Sequence, residues 1–423
     1  MFNGVIKMRK MKNSGIEWVG DIPDSWDIHP LYCFFEERIN KNIFGKEQNL
    51  LSLSYGKIKR KDINSSEGLL PANYNTYNIV HSGDIVIRPT DLQNDKRSLR
   101  TGLVEEQGII TSAYIALKPK KNTYSKYFHY LLHIYDVLKV FYNMGNGVRQ
   151  GLNYDEFSKL LMIIPPIEEQ RKIAEFLDEK CVEIDALIAD IKTQIESLEQ
   201  YKRSVITEAV TKGLNHSVEM KDSGIKWVGE MPLHWDIKPN KYLMKKVKDI
   251  SVTYNGENIL SLTMNGVIVR DLEAGGKMPT SFDGYQIIKT GNLLMCLFDI
   301  DVTPRCVGLI KNNGVTSPAY SQYKMRKGAL ASYYNYYYLM VDFTKELLHM
   351  AKNLRHSLNE EQFGAIKAPV PPIEEQKQIA DYLDNKCAQI EELKTAKQSQ
   401  IETLEAYKKS IIYEYVTGKK EVV

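Results

Sequence analysis

The sequence predicts an α+β protein with two similar globular parts and two long helices, and the whole arrangement is written twice along the chain. Three observations lead to this prediction. Two different segments each occur twice, in the same order. Short apolar runs with β-branched residues lie between turn residues, as strands do. Each copy then ends in a long stretch that has an apolar residue at every third or fourth position.

The repeat is clearest at the openings and at two later pairs of prolines. KNSGIEWVGDIPDSWDI begins at Lys12 and returns as KDSGIKWVGEMPLHWDI at Lys221, and PPIEEQRKIAEFLDEKC begins at Pro165 and returns as PPIEEQKQIADYLDNKC at Pro371. A period this long marks whole domains rather than solenoid repeats. We therefore predict globular domains over 1–164 and 214–370, and long helices over 165–213 and 371–423.

The globular parts diverge from each other and keep only a skeleton in common. SGDIVIR (82–88) faces TGNLLMC (290–296), and GVRQGLNYDEF (147–157) faces NLRHSLNEEQF (353–363). A tyrosine cluster at 333–338 has the aromatic surfaces needed to stack on bases. We favour packing of these tyrosines into a core, because the segment 124–141 of the first copy has similar helical spacing.

Each predicted long helix begins with two prolines and two glutamates, which suit a helix N-terminus. At ~1.5 Å per residue each helix is roughly 60 Å long, and its apolar stripe must be buried against another helix. The other copy in an antiparallel pair is the economical partner, and dimerisation with a second chain is the alternative. The predicted seam consists of Leu177, Cys181, Ile184, Ile188, Ile191, Ile195 and Leu198, and of Leu383, Cys387, Ile390, Ile401, Leu404 and Ile411.

Composition narrows the class of protein. The net charge of +3 excludes a uniformly basic, histone-like chain, so any contact with nucleic acid needs local basic patches. The five cysteines are scattered without a CxxC pair, which predicts neither disulfides nor a zinc site and favours the cytoplasm. Apolar runs fall far short of the ~20 residues that cross a bilayer.

The doubled openings and the doubled PPIEEQ helix starts resemble the specificity subunit of type I restriction–modification enzymes over essentially the whole chain. The resemblance implies two target-recognition domains, each of which reads one half of a bipartite double-stranded DNA target. It also implies that the helices set the gap between the half-sites and dock two modification subunits. Those partners would carry S-adenosylmethionine and methylate adenine, and separate restriction subunits would translocate and cut DNA.

The motifs that are missing agree with this division of labour. The sequence has no NPPY- or DPPY-type motif for amino-methylation, no glycine-rich cofactor loop after a strand and no GxxxxGK[ST] phosphate loop. Its carboxylates do not cluster with the spacing of metal ligands. We therefore expect a chain without a catalytic site, a metal or a bound cofactor. The alternatives are an enzyme with a scattered nuclease or methyltransferase centre, and a coiled-coil scaffold that binds only protein.

Candidate DNA contacts come from basic runs and from loops that offer paired donors to phosphates or base edges. An ordinary solvated surface is the alternative for each basic run, one of which lies at 240–248. Arg149 and Arg355 hold matching positions in the two copies, which favours a shared role. The candidates are Lys57, Lys59, Arg60, Arg88, Gln93, Asn94, Lys96, Arg97, Arg100, Arg149, Gln150, Arg305, Lys324, Arg326, Arg355 and His356.

Overall fold

Each copy of the repeat folds with parts of both long helices into a unit of its own. Unit 1 comprises Met1–Asp190 and Ser399–Val423, and unit 2 comprises Ile191–Gln398. The predicted α+β class and the internal repeat are confirmed. The computed structural model describes residues 9–64, 73–90, 92, 99–142, 144, 151–273, 279, 281–351 and 355–422.

Short strands dominate the first half of the chain, since turn residues interrupt the apolar runs every few positions. They are β1 (Met11–Asn13), β2 (Asp21–Pro23), β3 (Asp27–Pro30), β4 (Phe35–Glu37), β5 (Leu50–Ser54), β6 (Lys57–Lys61), β7 (Asn78–Val80), β8 (Ile85–Ile87), β9 (Thr101–Leu103), β10 (Gly108–Ile110), β11 (Ile115–Pro119) and β12 (Leu161–Ile164). The helices are α1 (Ser125–Val137), α2 (Tyr154–Phe157) and α3 (Ile167–Lys212).

Two four-stranded sheets support the core of unit 1. Their strand orders are β6-β5-β10-β7 and β4-β11-β8-β9, while β1-β2 and β12-β3 form separate two-stranded ladders. Buried aliphatic side chains from both sheets, among them Leu51, Val80, Val86 and Ile110, pack into one cluster. The core therefore fixes the position of the β5–β6 hairpin, and β6 is the edge strand of the first sheet.

The second half of the chain repeats this order of elements. The strands are β13 (Met220–Asp222), β14 (Glu230–Pro232), β15 (Asp236–Pro239), β16 (Met244–Val247), β17 (Leu260–Thr263), β18 (Gly266–Val269), β19 (Gln286–Ile288), β20 (Leu293–Met295), β21 (Val307–Leu309), β22 (Gly314–Thr316), β23 (Ser321–Met325) and β24 (Lys367–Val370). The helices are α4 (Asn240–Leu243), α5 (Ala331–Phe343), α6 (Glu360–Ala365) and α7 (Ile373–Val416).

The four-stranded sheet β16-β23-β20-β21 of unit 2 has the same order as β4-β11-β8-β9 of unit 1. The remaining strands of unit 2 pair as β13-β14, β15-β24, β17-β18 and β19-β22. Short helices α2 and α6 also correspond, because Asn153 and Asn359 each cap the helix with a side-chain oxygen. The segments shared between the two copies are thus the ones that build the frame.

The tyrosine cluster of α5 lies in the core of unit 2, as the sequence analysis favoured. Tyr333, Tyr334, Tyr337 and Tyr338 are fully buried. Their hydroxyls find acceptors inside the protein: Tyr333 donates to the carbonyl of Val210 at 3.0 Å, and Tyr334 donates to that of Pro369 at 3.0 Å. Because the rings themselves are buried, their faces are not available for stacking on a base.

The two long helices run antiparallel in both units. In unit 1, Phe176 stacks near Tyr415 with ring centroids 4.5 Å apart, and Asp185 pairs with Lys408 at 2.6 Å. In unit 2, Glu199 pairs with Lys394 and Lys202 pairs with Glu391, both at 2.6 Å. As the residue number rises along α3, the residue number of the contacting residue in α7 falls. The two residue numbers of each of the three ion pairs have the same sum. Both units therefore use one register.

The residues of the predicted seam differ in burial. The buried members are Leu177, Cys181, Ile184, Ile188, Leu383, Ile390, Ile401 and Ile411, and the half-buried ones are Ile191, Ile195, Leu198, Cys387 and Leu404. Within the described residues no helix has the length and apolar character to span a membrane.

Lysines interrupt the apolar seam where the helices of unit 2 exchange polar contacts. Lys202 and Lys394 form the ion pairs named above, and Lys397 donates to the side-chain oxygen of Gln194. Ion pairs this exposed contribute at most about 1 kcal/mol each. Their larger effect is on register, since a slip of one helix along the other would separate every pair at once.

In each unit a buried tryptophan of the opening segment contacts both long helices, and we call this contact the tryptophan lock. Its presence in both units explains why the two opening segments are nearly identical. The indole of Trp26 is buried and donates to Glu169 at 2.9 Å, and that of Trp235 donates to Glu375 at 3.1 Å. Gly418 has a positive φ of 71°, and a Cβ there would meet Pro23 and the Trp26 ring. The PPIEEQ glutamate and the helix-ending glycine are thus fixed by one tryptophan in each unit.

Two histidines of α1 have no titratable counterpart in α5. Nε2 of His129 is enclosed without a hydrogen-bond partner. Burial, reinforced by His133, lowers the pKa of His129 to about 3. Burial and the nearby Lys408 and Lys409 lower the pKa of His133 to about 4. The corresponding residues of unit 2 are Asn335 and Leu339.

Acid is therefore expected to destabilise unit 1 selectively. A folded pKa below the unfolded value near 6.5 means that the stabilisation is complete above pH ~6.5 and is lost as pH falls towards 4. At pH ~4.5 the loss is roughly 2 to 5 kcal/mol for the two groups. Hydrogen exchange should show α1 losing protection before α5, and the double variant H129N/H133L should remove this difference. Equal loss in both helices would contradict the assignment.

Candidate nucleic-acid interface

The β5–β6 hairpin of unit 1 presents a basic edge strand. Lys57, Lys59 and Arg60 all lie on β6 and are exposed, and Ile58 between them packs on the core. Lys57 is 3.5 Å from Asp185 of α3, and Arg60 is paired with Glu106. Three of the predicted DNA contacts are thus brought together on one accessible strand.

The tip of this hairpin holds a residue that sequence reasoning missed. Tyr55 and Gly56 both have positive φ, 49° and 76°, which gives the strands the tight two-residue turn of a twisted hairpin. Tyr55 is 84% exposed, an unusual position for an aromatic side chain in left-handed backbone. Its position two residues before the strongly basic KIKRK run, and next to Gly56, is the signal that would have found it.

A second basic surface lies on the strands β16 and β23 of unit 2. It brings the predicted Lys324 and Arg326 together with Lys245 and Lys248 of the run at 240–248, and all four are exposed. These residues line a groove of about 580 Å³, and no carboxylate is among its lining residues. Lys246, also in the lining, is 3.9 Å from Glu360.

The prediction that Arg100 contacts DNA is wrong. Arg100 is 0% exposed, and its guanidinium donates to the hydroxyl of Tyr142 at 2.9 Å and to the carbonyl of Thr90. Its backbone N–H donates to Asp136. Arg100 therefore holds β9 against α1. The basic run at 96–100 does not by itself show whether a given arginine is buried or exposed.

The buried Asp136 has an exact equivalent that sequence reasoning also missed. In unit 2 the backbone N–H of Cys306 donates to Asp342 at 2.9 Å. Lys139 and Lys345 follow three residues after these aspartates, and both have positive φ. Burial raises the pKa of Asp136, while the hydrogen bond from Arg100 opposes the rise. The repeated carboxylate is a structural anchor in both units.

Arg305 is placed mainly as a structural residue, contrary to the prediction that it reads bases. Its side chain is partly buried and donates to the carbonyls of Val307 at 2.7 Å and Met264 at 3.0 Å. It thereby ties the β17–β18 hairpin to β21. Arg88 is half-buried after β8, where its N–H donates to the carbonyl of Arg100 at 2.8 Å.

The loop residues Arg355 and His356 lie beside the segment 299–301 of unit 2. Arg355 is exposed, and its carbonyl accepts from Asp299 at 3.0 Å. His356 is half-buried, has a positive φ of 41° and pairs with Asp301 at 3.0 Å. Six other predicted contacts fall outside the described residues: Gln93, Asn94, Lys96, Arg97, Arg149 and Gln150.

The long helices carry a duplicated apolar surface. Leu187 and Tyr407 in unit 1, and Leu393 and Tyr201 in unit 2, are each 52% exposed. Leu393 is the repeat equivalent of Leu187, and Tyr407 that of Tyr201. By the register of the ion pairs, each leucine lies nearly level with the tyrosine of its own unit. We call each pair the Leu–Tyr patch of its unit.

In the described part of the chain, no group of three histidine, cysteine or acidic side chains is arranged to hold a metal ion. All five cysteines are free, and Cys33 alone among them is exposed.

Comparison with known sequences points to DNA recognition. The family model of the type I restriction modification DNA specificity domain matches residues 39–197 and 306–403. A Methanocaldococcus jannaschii protein named as the MjaX specificity subunit of a type I restriction enzyme is 24% identical, with 99% of each chain covered. The MjaVIII specificity subunit of the same organism is 25% identical, with 75% of each chain covered.

Two solved structures share the fold. One comes from a structure that describes the complex assembly and conformational transition of the type I R-M system. Its TM-score is 0.69 and its sequence identity is 14%, and the match covers 94% of this chain and 99% of that one. The HsdS subunit from Thermoanaerobacter tengcongensis has a TM-score of 0.50 and 13% identity over 94% and 98% of the two chains.

Proposed function

Because the chain belongs to the type I restriction modification DNA specificity family, it is a non-catalytic DNA-specificity subunit, and we propose that each of its two units reads one half of a bipartite target. The observation that carries this proposal is the contrast between frame and surface. The tryptophan locks, aspartate anchors and helix starts are the same in both units. The exposed charges at equivalent strands differ. One frame with two different surfaces suits two different half-sites.

In unit 1 the β5–β6 hairpin is the proposed contact with the DNA backbone. Lys57, Lys59 and Arg60 place positive charge along an exposed edge strand, and phosphate contacts account for most of the affinity of a DNA-binding protein. Tyr55 at the tip adds an exposed aromatic ring, which suits packing against a sugar or base. Base reading itself would come from neighbouring loops.

The partners we propose are two modification subunits, one on each Leu–Tyr patch. The half-exposed leucines and tyrosines stand at repeat-equivalent positions, so the chain presents the same apolar surface twice, which suits two copies of one partner. Tyrosine is among the residues that dominate protein interfaces. The modification subunits would carry S-adenosylmethionine, and this chain would bind no cofactor. Restriction subunits would join the same complex in the cytoplasm.

Sequencing of methylated adenines in cells with and without this chain tests the proposal. Deletion should abolish one methylated motif made of two short specific segments around a fixed gap, and re-expression should restore it. The control is a strain in which the chain is intact and the modification subunit is deleted, which should lose the same motif. Unchanged methylation after deletion of this chain, with an active modification subunit, would favour a protein-binding scaffold.

A further inference from the structure

We propose that the strands β16 and β23 of unit 2 form a binding site for the phosphates of the DNA backbone, and that the equivalent strands of unit 1 do not. The inference rests on the proposed function and adds an asymmetry to it. The two units would then hold DNA through different parts of one fold: unit 1 through the β5–β6 hairpin, and unit 2 through the β16–β23 pair.

The register of the two strands places two lysines beside each other. Lys245 of β16 lies directly opposite Lys324 of β23. Side chains directly opposite in an antiparallel pair stand on the same face about 5 Å apart at their Cβ atoms, and like charges there repel each other. Both lysines are exposed. An unfavourable pair of this kind is relieved by an anion bound between the two ammonium groups.

The same pair of positions in unit 1 holds one acidic and one basic residue. Glu36 of β4 lies opposite Lys118 of β11, and the two side chains form an ion pair of 2.6 Å. Lys118 lowers the pKa of Glu36 through this contact. The fold therefore accommodates two oppositely charged residues that neutralise each other at these positions. The pair of like charges occurs only in unit 2.

The surroundings of the two lysines are also positively charged. Lys248 and Arg326 extend the positive charge along the groove. Within the described residues, none of Lys245, Lys248, Lys324 and Arg326 has a carboxylate within 4.0 Å. A groove lined by several cations and by no carboxylate suits the phosphates of the DNA backbone.

Replacement of Lys245 by glutamate turns the pair into the one that unit 1 already has. The variant K245E should leave the thermal unfolding midpoint unchanged or slightly raised, because it creates an ion pair with Lys324. Binding should be measured on a labelled random-sequence duplex of about 40 base pairs, with the full chain assembled with its modification subunits. Loss of about two phosphate contacts should weaken binding roughly 10- to 50-fold at ~0.1 M salt and reduce the salt slope by about 1.8.

Lys226 provides the matched control. It is exposed, and its repeat equivalent in unit 1 is Glu17, so K226E is the same charge change towards the residue of the first copy. This variant should keep the salt slope of the wild type. Equal slopes for wild type and K245E would overturn the phosphate site while leaving the proposed function intact. Weaker assembly with modification subunits in K245E, at unchanged DNA affinity, would overturn it in favour of a protein contact.

Failure of the proposed function itself would have a different signature. The wild-type complex would then show no salt-dependent binding to the duplex, and deletion of the chain would leave the methylation pattern unchanged. That result would overturn the phosphate site as well.

Discussion

Replacement of Leu187 and Leu393 by aspartate should leave the chain folded and abolish DNA modification. Each leucine is half-exposed on the surface of a long helix, so the substitution removes little packing from either unit. In a complex, the same leucines would be buried at the centre of two equivalent interfaces. A buried unpaired carboxylate in such a position costs about 2 to 4 kcal/mol, which weakens each docking contact roughly 30- to 1,000-fold.

The single variants separate the two docking sites. L187D should assemble with one modification subunit instead of two, and so should L393D, which native mass spectrometry or light scattering measures directly. Val182 is a suitable control, because it is exposed on α3 about 140° around the helix from Leu187. V182D should retain both partners. Full assembly of the double variant would show that the Leu–Tyr patches are not the docking surface.

Insertion of four residues into both long helices should lengthen the gap in the DNA target without changing either half-site. Four residues add about 6 Å to a helix, which is between one and two base pairs at ~3.4 Å each. The insertions belong near Ile191 of α3 and opposite it in α7, where the seam is only half-buried and the ion pairs of each unit remain on one side. Each unit then keeps its own contacts with both helices.

An insertion in a single helix is the control for this variant. Four extra residues in α3 alone would shift α3 against α7 by about 6 Å, so the pairs Asp185–Lys408 and Lys202–Glu391 could not form together. This chain should be destabilised and inactive. The contrast between the paired and the single insertion would therefore attribute the change of gap to helix length, and not to disruption of the helices.

Much of the frame could be predicted because it depends on local signals and on the repeat. Proline and glutamate mark the starts of α3 and α7, and Gly213 follows the end of α3 directly. The helical spacing shared with the segment 124–141 indicated the core position of the α5 tyrosines. These features follow from backbone geometry and burial, which act over a few residues.

The candidate site was predicted less well, because its parts meet only through tertiary structure. Arg100 and Lys59 look alike in sequence, yet one is buried under Tyr142 and the other is exposed on an edge strand. The opposition of Lys245 and Lys324 depends on the pairing of two strands far apart in the chain. An exposed leucine such as Leu187 has the same residue type as a buried leucine of the same helix, so only the folded structure distinguishes the two.

The most direct test of the central claim is sequencing of methylated adenines in cells that express either the wild-type chain or the chain with four residues inserted in both helices. Two units that each read a half-site predict the same two short segments in both strains, with a gap one or two base pairs longer in the insertion strain. Altered half-sites with an unchanged gap would contradict the account.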